Sequence, residues 1–151
     1  GRRPTAIAVD CGPGSFTGLR VGIAAARALG LAWEVPVAGL SSTALIAAAH
    51  FAASDDDDVV VTQMGGHGEL FVEGFARAGL VTTLPLASLP PDAARLAIGG
   101  RRAIGSGSAL VADEALAWPD AANAALLPAD RRALPVRPIY VRPPDAKPAA
   151  A

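Results

Sequence analysis

Only one of the 151 residues is a cysteine, so no internal disulfide can form, and Cys11 with two histidines falls short of a CxxC or HxxxH metal site. Aromatic residues are scarce, at 5 %, although 52 % of the chain is apolar. The core must therefore be assembled from Ala, Val, Leu and Ile, with alanine the most frequent residue at 35. Charge of neither sign dominates. Thirteen basic residues against 14 acidic ones leave a formal net charge of −1, which excludes a broad electrostatic footprint for nucleic acid. Any RNA role then needs a local patch or a partner. Long hydrophobic runs are also missing: a helical span needs about 20 apolar residues, and the best candidate, residues 21–33, is too short and carries Arg27. Gly1-Arg2-Arg3-Pro4 shows no cleavable signal pattern. These absences predict a soluble, cytoplasmic protein of one ordinary domain or two small lobes, with no membrane role.

What the chain does contain is an alternation of strand and helix signals. Thr5-Ala6-Ile7-Ala8-Val9-Asp10 reads as an apolar strand, followed by the glycine-rich turn Cys11-Gly12-Pro13-Gly14-Ser15-Phe16. Residues 17–33 are proline-free and rich in helix formers. Glu34-Val35-Pro36 ends that helix, because proline lacks an amide hydrogen and restricts its predecessor. Residues 37–40 read as a second strand, and Ser41 or Ser42 as the cap of a helix running to Ala53. Strand, helix and strand make a βαβ unit with parallel strands. A strand as apolar as the first expects neighbours on both sides. With almost no chain ahead of it, the fold is expected to be N-terminally truncated.

Asp55-Asp56-Asp57-Asp58 marks a solvated break, because adjacent like charges repel. It divides the chain into a first lobe over 1–53 and a second over 54–151. Val59-Val60-Val61-Thr62, the turn Gly65-Gly66-His67-Gly68 and an alternating segment over 69–76 predict a hairpin. Further strands are expected at 80–84 and 95–98, and a helix over 109–117 opened by Gly105-Ser106-Gly107-Ser108. The Pro- and Arg-rich tail over 127–148 reads as extended chain.

The chemistry concentrates in Gly12-Pro13-Gly14-Ser15-Phe16-Thr17-Gly18-Leu19-Arg20-Val21-Gly22, between a strand and a helix. Its glycines permit a sharp turn, and Ser15 or Thr17 can accept bonds from free amides of the first helical turn. The same turn aims the positive end of a helix dipole outward, so it suits either plain capping or anion binding. GPGSFTG lacks both the lysine of a P-loop and GxGxxG spacing. Along the helix, Gly22, Ala26 and Gly30 are four apart and, with Leu19 and Ile23, make a smooth face suited to packing within the lobe or to a subunit interface. Arg20 and Arg27 share one side, where acidic groups of the fold or of a partner could meet them. A Ser/His/Asp hydrolase is the rival enzyme reading, yet Ser15 is not in a G-x-S-x-G elbow, His50 closes a helical pattern and His67 sits in a glycine turn. The aspartate run lacks the glycine and distal glutamate of a calcium loop.

These residues resemble the TsaB (YeaZ) family of bacterial tRNA threonylcarbamoyladenosine biosynthesis. The likeness rests on Gly12 to Gly22, on Val35-Pro36-Val37-Ala38-Gly39-Leu40-Ser41-Ser42, on Gly68-Glu69-Leu70-Phe71 and on Pro138-Ile139-Tyr140-Val141-Arg142-Pro143-Pro144. It implies an α/β, actin-like ATPase fold (ASKHA, ribonuclease H-like) with two lobes. It also implies a non-catalytic scaffold subunit, partnered by TsaD and TsaE, in the complex that transfers threonylcarbamoyl to N6 of adenosine 37 in tRNA. ATP and a divalent metal would sit on TsaD, with no cofactor here, and tRNA would be reached only through the complex. Family members pair with themselves or with TsaD through helices of the first lobe, which favours Leu19, Arg20, Gly22, Ile23, Ala26 and Gly30 as interface. Two departures stand out: the family's opening strands and helix are absent, and Gln63-Met64-Gly65-Gly66-His67 replaces an Asp-Ala-Arg-like approach to the Gly-Glu strand.

Overall fold

The computed structural model describes residues 4–112 and 115–141. Strand β1 (Ile7–Asp10) leads into helix α1 (Phe16–Trp33), and β2 (Val37–Leu40) then pairs in parallel with β1, completing the expected βαβ unit. Ser15 caps α1 by accepting from the Gly18 amide, and Glu34 ends it in the left-handed region at φ 57°, donating to the Gly30 and Leu31 carbonyls. Helix α2 (Ser42–Ala53) starts at a Ser41 cap. A second sheet follows in the spatial order β5 (Val81–Leu89), β4 (Leu70–Ala76), β3 (Asp58–Met64), β6 (Ala103–Ile104), with β3 and β4 forming the predicted antiparallel hairpin.

Helix α2 belongs to both halves. The sequence boundary assigns it to the first lobe, yet Leu45, Ile46, Ala48 and Phe51 join Val59, Val61 and Phe75 of the second sheet in one core cluster. The opposite face of that sheet, through Val60, Leu70 and Val72, is covered by Ala94 and Ile98 of helix α3 (Pro91–Ile98). Both faces being covered, β4 does not alternate as expected: Val72, Glu73, Gly74 and Phe75 are all buried. At the far end of α2, Arg77 donates to the carbonyls of Phe51, Ser54 and Asp56 and so answers acceptors that the helix terminus leaves open.

Three expectations require correction. Residues 95–98 are not a strand but the end of α3. Pro91 occupies its first turn and Gly99 closes it in the left-handed region, while Ala94 and Ile98, four apart, point to the core and Leu96 is 84 % exposed. Among the described residues of the helix expected over 109–117, the helical structure is a single 3-10 turn, Ser108–Leu110. There the buried Ser108 hydroxyl accepts from the Ala115 amide and the Gly105 amide donates to the Ala115 carbonyl, so the chain is folded back rather than wound on. The strand expected at 80–84 continues to Leu89 through Pro85, which is tolerated because β5 is an edge strand. Strand β6 has only two residues and carries no periodic signal in the sequence.

The tail turns once at Ala129–Arg132 and then runs extended back over the first lobe. Leu134 exchanges backbone bonds with Gly39, the Ile139 amide donates to the Cys11 carbonyl, and Arg27 donates to the Val136 carbonyl. This strap covers the edge of β2 that β1 does not. The other part of the tail reading, residues 142–148, lies outside the described residues, as do Arg2 and Arg3. The carboxyl of Glu73 sits where α2, β5 and the strap meet, 8 % exposed, accepting from the Thr43 hydroxyl with Thr82 and Arg131 beside it. Burial raises its pKa above the usual glutamate range, against the bond from Thr43 and the charge of Arg131.

Two outcomes are expected. A methyl at Gly39 would meet Cys11 Sγ at 2.8 Å and the Pro135 carbonyl at 2.8 Å, so Gly39→Ala should force the strap outward and cost about 1–3 kcal/mol in denaturant unfolding. Because Glu73 holds its proton to a higher pH when folded, stability contributed by the neutral form is lost as pH rises through the raised range. Glu73→Gln should flatten that decline and be at least as stable as the parent at neutral pH, measured by urea unfolding across the glutamate range and above.

Candidate functional site

The glycine turn is set by the residues on either side of it. Asp10, the last residue of β1, accepts from the Gly12 amide at 2.8 Å and from the Ser42 hydroxyl at 2.8 and 2.7 Å. Ser42 also reaches the Pro13 carbonyl at 3.1 Å. Gly12 adopts φ 106°, and a side chain there would strike Leu19 Cδ1 at 2.8 Å, so this position needs glycine for both reasons. Gly12 and Pro13 are buried, whereas Gly14, Ser15, Thr17 and Gly18 are exposed. Beside the turn lies a cavity of about 460 Å³, lined from one half by Asp10, Ser15, Gly18 and Ser42 and from the other by Gln63, Met64, Ser106 and Trp118.

Several polar groups of this cavity are already bonded within the chain, whereas the buried Gln63 Oε1 in its lining has no hydrogen-bond partner. Asp10 is committed to Gly12 and Ser42, Ser15 to the Gly18 amide at 3.3 Å, and Ser106 to the Met64 amide at 3.0 Å. The hydrolase constellation is not assembled: His50 bonds Asp56 at 2.7 Å beside a different cavity, one lined by Arg102, Leu116 and Trp118. Among the described residues no group of three or more His, Cys, Asp or Glu could hold a metal ion. Cys11 is fully buried, with its pKa pushed up by desolvation, which keeps the thiol protonated and unreactive.

Helix α1 presents two different faces. Leu19, Ile23, Ala26 and Gly30 are buried within the same chain, and a methyl at Gly30 would collide with Val37 of β2. The smooth face expected to serve an interface is thus largely occupied by β1 and β2. Gly22 is half-buried with open space beside it, and Arg20 is exposed. The opposite face is exposed among the described residues: Val21 is 64 % and Leu31 83 % exposed, with Ala24, Ala25 and Ala28 between them and Ala32 after them. At its start the Arg20 guanidinium lies 3.6 Å over the Phe16 ring and donates through Nε to the Tyr140 hydroxyl at 2.9 Å, while the Phe16 and Tyr140 rings stack at 5.7 Å. Sequence reasoning missed this outer face because alanine periodicity looks the same on both sides of a helix; Val21, Leu31 and the two arginines were its signal.

A family model described as TsaD: tRNA N6-adenosine threonylcarbamoyltransferase matches residues 2–83, more than half of the chain. The chain belongs to this family. Uncharacterized protein Rv3421c of Mycobacterium tuberculosis (strain ATCC 25618 / H37Rv) and Uncharacterized protein Mb3455c of Mycobacterium bovis are each 36 % identical over 146 residues, covering 96 % of this chain and 67 % of theirs. Uncharacterized protein ML0378 of Mycobacterium leprae is 60 % identical over 37 residues, 24 % of this chain and 10 % of its own length. The chain therefore spans a tenth of the last relative and about two thirds of the others. Among solved structures, YeaZ from Pseudomonas aeruginosa superposes with a TM-score of 0.70 at 22 % identity, over 89 % of this chain and 73 % of that one. A protein with similarity to peptidase YEAZ from Pseudomonas aeruginosa gives 0.68 at 23 %, over 91 % and 74 %. The fold of this family member is thus TsaB (YeaZ)-like, an α/β fold of the actin-like ATPase type, as the GPGSFTGLRVG resemblance implied. None of the helices among the described residues is long and apolar enough to cross a membrane.

Ser15→Ala should lower stability by about 1 kcal/mol through loss of the helix cap. Equal losses in phosphate-free and phosphate-containing buffer would identify Ser15 as a cap; a larger loss in phosphate would identify an anion site.

Proposed function

We propose that this chain is a non-catalytic scaffold subunit in tRNA N6-threonylcarbamoyladenosine formation, pairing with a TsaD-type subunit, with a TsaE-type protein completing the complex. Membership of the family supports the pathway. The observation that carries the scaffold role is the contrast between two surfaces: Asp10, Ser15 and Ser42 at the glycine turn are bonded within the chain, while a long apolar face of α1 stands open. Asp10, Ser15 and Ser42 act here as struts: they bond the Gly12 amide, the Gly18 amide and one another, with no histidine or lysine among the residues lining the cavity to serve as a base. An apolar face of this length is what a partner subunit covers. On this reading ATP and a divalent metal belong to the TsaD-type partner, and tRNA is bound through the assembled complex.

The interface differs in detail from the one read in the sequence. Arg20 and Gly22 remain at its border, but Leu19, Ile23, Ala26 and Gly30 support the helix from behind. Val21→Arg with Ala28→Arg should leave the fold intact, since both sites are exposed, and should abolish co-purification with the TsaD-type subunit and threonylcarbamoyladenosine formation in a reconstituted reaction. Unchanged binding would refute the reading. The cavity of about 460 Å³ supports one second reading, a nucleotide-binding enzyme of the same fold class acting on a small substrate. Tight binding of ATP and magnesium by the isolated chain in calorimetry would favour it.

A further inference from the structure

Among the described residues, three buried side-chain polar atoms have no hydrogen-bond partner: Ser54 Oγ, Asp58 Oδ1 and Gln63 Oε1. Asp58 Oδ1 faces Arg101 at 3.7 Å and Ser54 lies at the end of α2, and neither residue lines either of the two cavities described above. Gln63 does. It is 8 % exposed and lines the cavity of about 460 Å³ between the two halves. Strand β3 puts it there: Val59, Val61 and Gln63 share one face, the first two are packed in the core with α2, and the third borders the cavity that Ser42, at the start of α2, also lines. A buried amide oxygen without a donor costs stability and calls for a specific explanation.

The rest of the cavity states what would answer it. Its volume is of the order usual for small-molecule sites. Trp118, 67 % exposed, lines it together with Val9, Leu19 and Met64, so an indole face and an apolar bed are available to a flat ring. The lining includes no lysine, arginine or histidine, and its formally charged side chain is Asp10, held by Gly12 and Ser42. A polyphosphate would meet a carboxylate and no cation there, and the positive end of α1 is offset by the same carboxylate. An uncharged ligand meets neither obstacle. Gln63 and Met64 also lie in the segment where the chain departs from the TsaB (YeaZ) pattern, so the chemistry of this wall is not implied by that resemblance.

We propose that the cavity between the two halves binds a small, uncharged, planar amide, whose N–H donates to Gln63 Oε1 and whose carbonyl accepts from Gln63 Nε2 while its ring lies against Trp118. A carboxamide carries an acceptor and a donor side by side, and a primary amide or a ring lactam answers both at once. Because Asp10 and Ser42 line the cavity from one half and Gln63, Ser106 and Trp118 from the other, an occupant of this kind ties the halves together. The proposal does not rest on the scaffold reading, which concerns the outer face of α1.

The test uses the full chain, with nicotinamide as the primary-amide probe and uracil as the lactam probe. Both should bind in the roughly millimolar range in calorimetry, as suits molecules of this size, and both should raise the thermal midpoint. Nicotinate, the same ring with a carboxylate in place of the amide, should bind at least about tenfold more weakly, because it has no N–H for Gln63 Oε1 and it meets Asp10. Gln63→Leu should abolish binding yet raise the midpoint of the unliganded chain, since it removes an unanswered buried polar atom; a side chain held for structure alone would lower that midpoint when replaced. Trp118→Ala, at an exposed position, should weaken both probes and leave the fold intact. Equal binding of nicotinamide and nicotinate, unchanged binding in Gln63→Leu, or no binding of either probe at millimolar concentration would overturn the proposal. So would ATP with magnesium displacing the amides, which would favour the nucleotide reading, or a single-stranded oligonucleotide that binds through Gln63 where the free amides do not. None of these outcomes touches the test made with Val21→Arg and Ala28→Arg, so the two readings fail separately.

Discussion

Helix α2 has almost no outside. From Ser42 to Ala48 every residue is buried, with the apolar ones packed in a cluster that includes Leu40 of one sheet and Val59, Val61 and Phe75 of the other. A helix in this position cannot leave its polar groups to solvent, and its first turn resolves each of them. Ser41 and Thr43 share a bond at 2.7 Å, Ser42 holds Asp10, and Thr43 holds Glu73. The two sheets are therefore joined through three consecutive hydroxyl side chains. The glycine turn, the cavity beside it and the strap all take their positions from this junction, because Asp10 fixes Gly12 and Glu73 lies beside Arg131.

Much of the first half was legible because its signals are local. Ser15, Pro36 and Ser41 mark helix boundaries by backbone chemistry that operates whatever the surroundings, and the βαβ connection leaves little choice of topology. The errors lie where tertiary contacts override local preference. Arg95-Leu96-Ala97-Ile98 is short enough to suit either period, and the choice was made by Pro91 ahead of it and by the sheet face that takes Ala94 and Ile98. Residues 109–117 have helix-forming composition, but Ser108 and Gly105 fold them back through bonds that no spacing rule reveals. In the candidate site, the turn residues were visible from the sequence. The division of labour between the two faces of α1 was not, since Gly22, Ala26 and Gly30 look equally suited to a partner or to the lobe's own sheet; the burial of Ala26 and the closeness of Gly30 to Val37 turn those two inward, while Gly22 keeps open space beside it.

That division also accounts for the alanine-rich composition. Small residues on the inner face let α1 lie close to β1 and β2; small residues on the outer face let another helix approach closely without large side chains to reorganise. Under the scaffold role proposed above both are needed, because a partner would be aligned by the sheet behind the helix as much as by the helix itself. The near-zero net charge fits the same picture, with arginine used at a few anchored positions instead of as a general coat.

The strap gives the protein a property that concerns its birth more than its mature state. Cys11 Sγ and the Pro135 carbonyl face each other across 124 positions of chain, and the free side of β2 is paired by Leu134. On the ribosome, β1, α1, β2 and α2 emerge long before that partner exists. Until the tail arrives, β2 presents an unpaired strand edge, the kind of surface that recruits other chains. Closure of the first sheet therefore waits until Leu134 and Pro135 have been made, and a folding chain carries the open β2 edge until then.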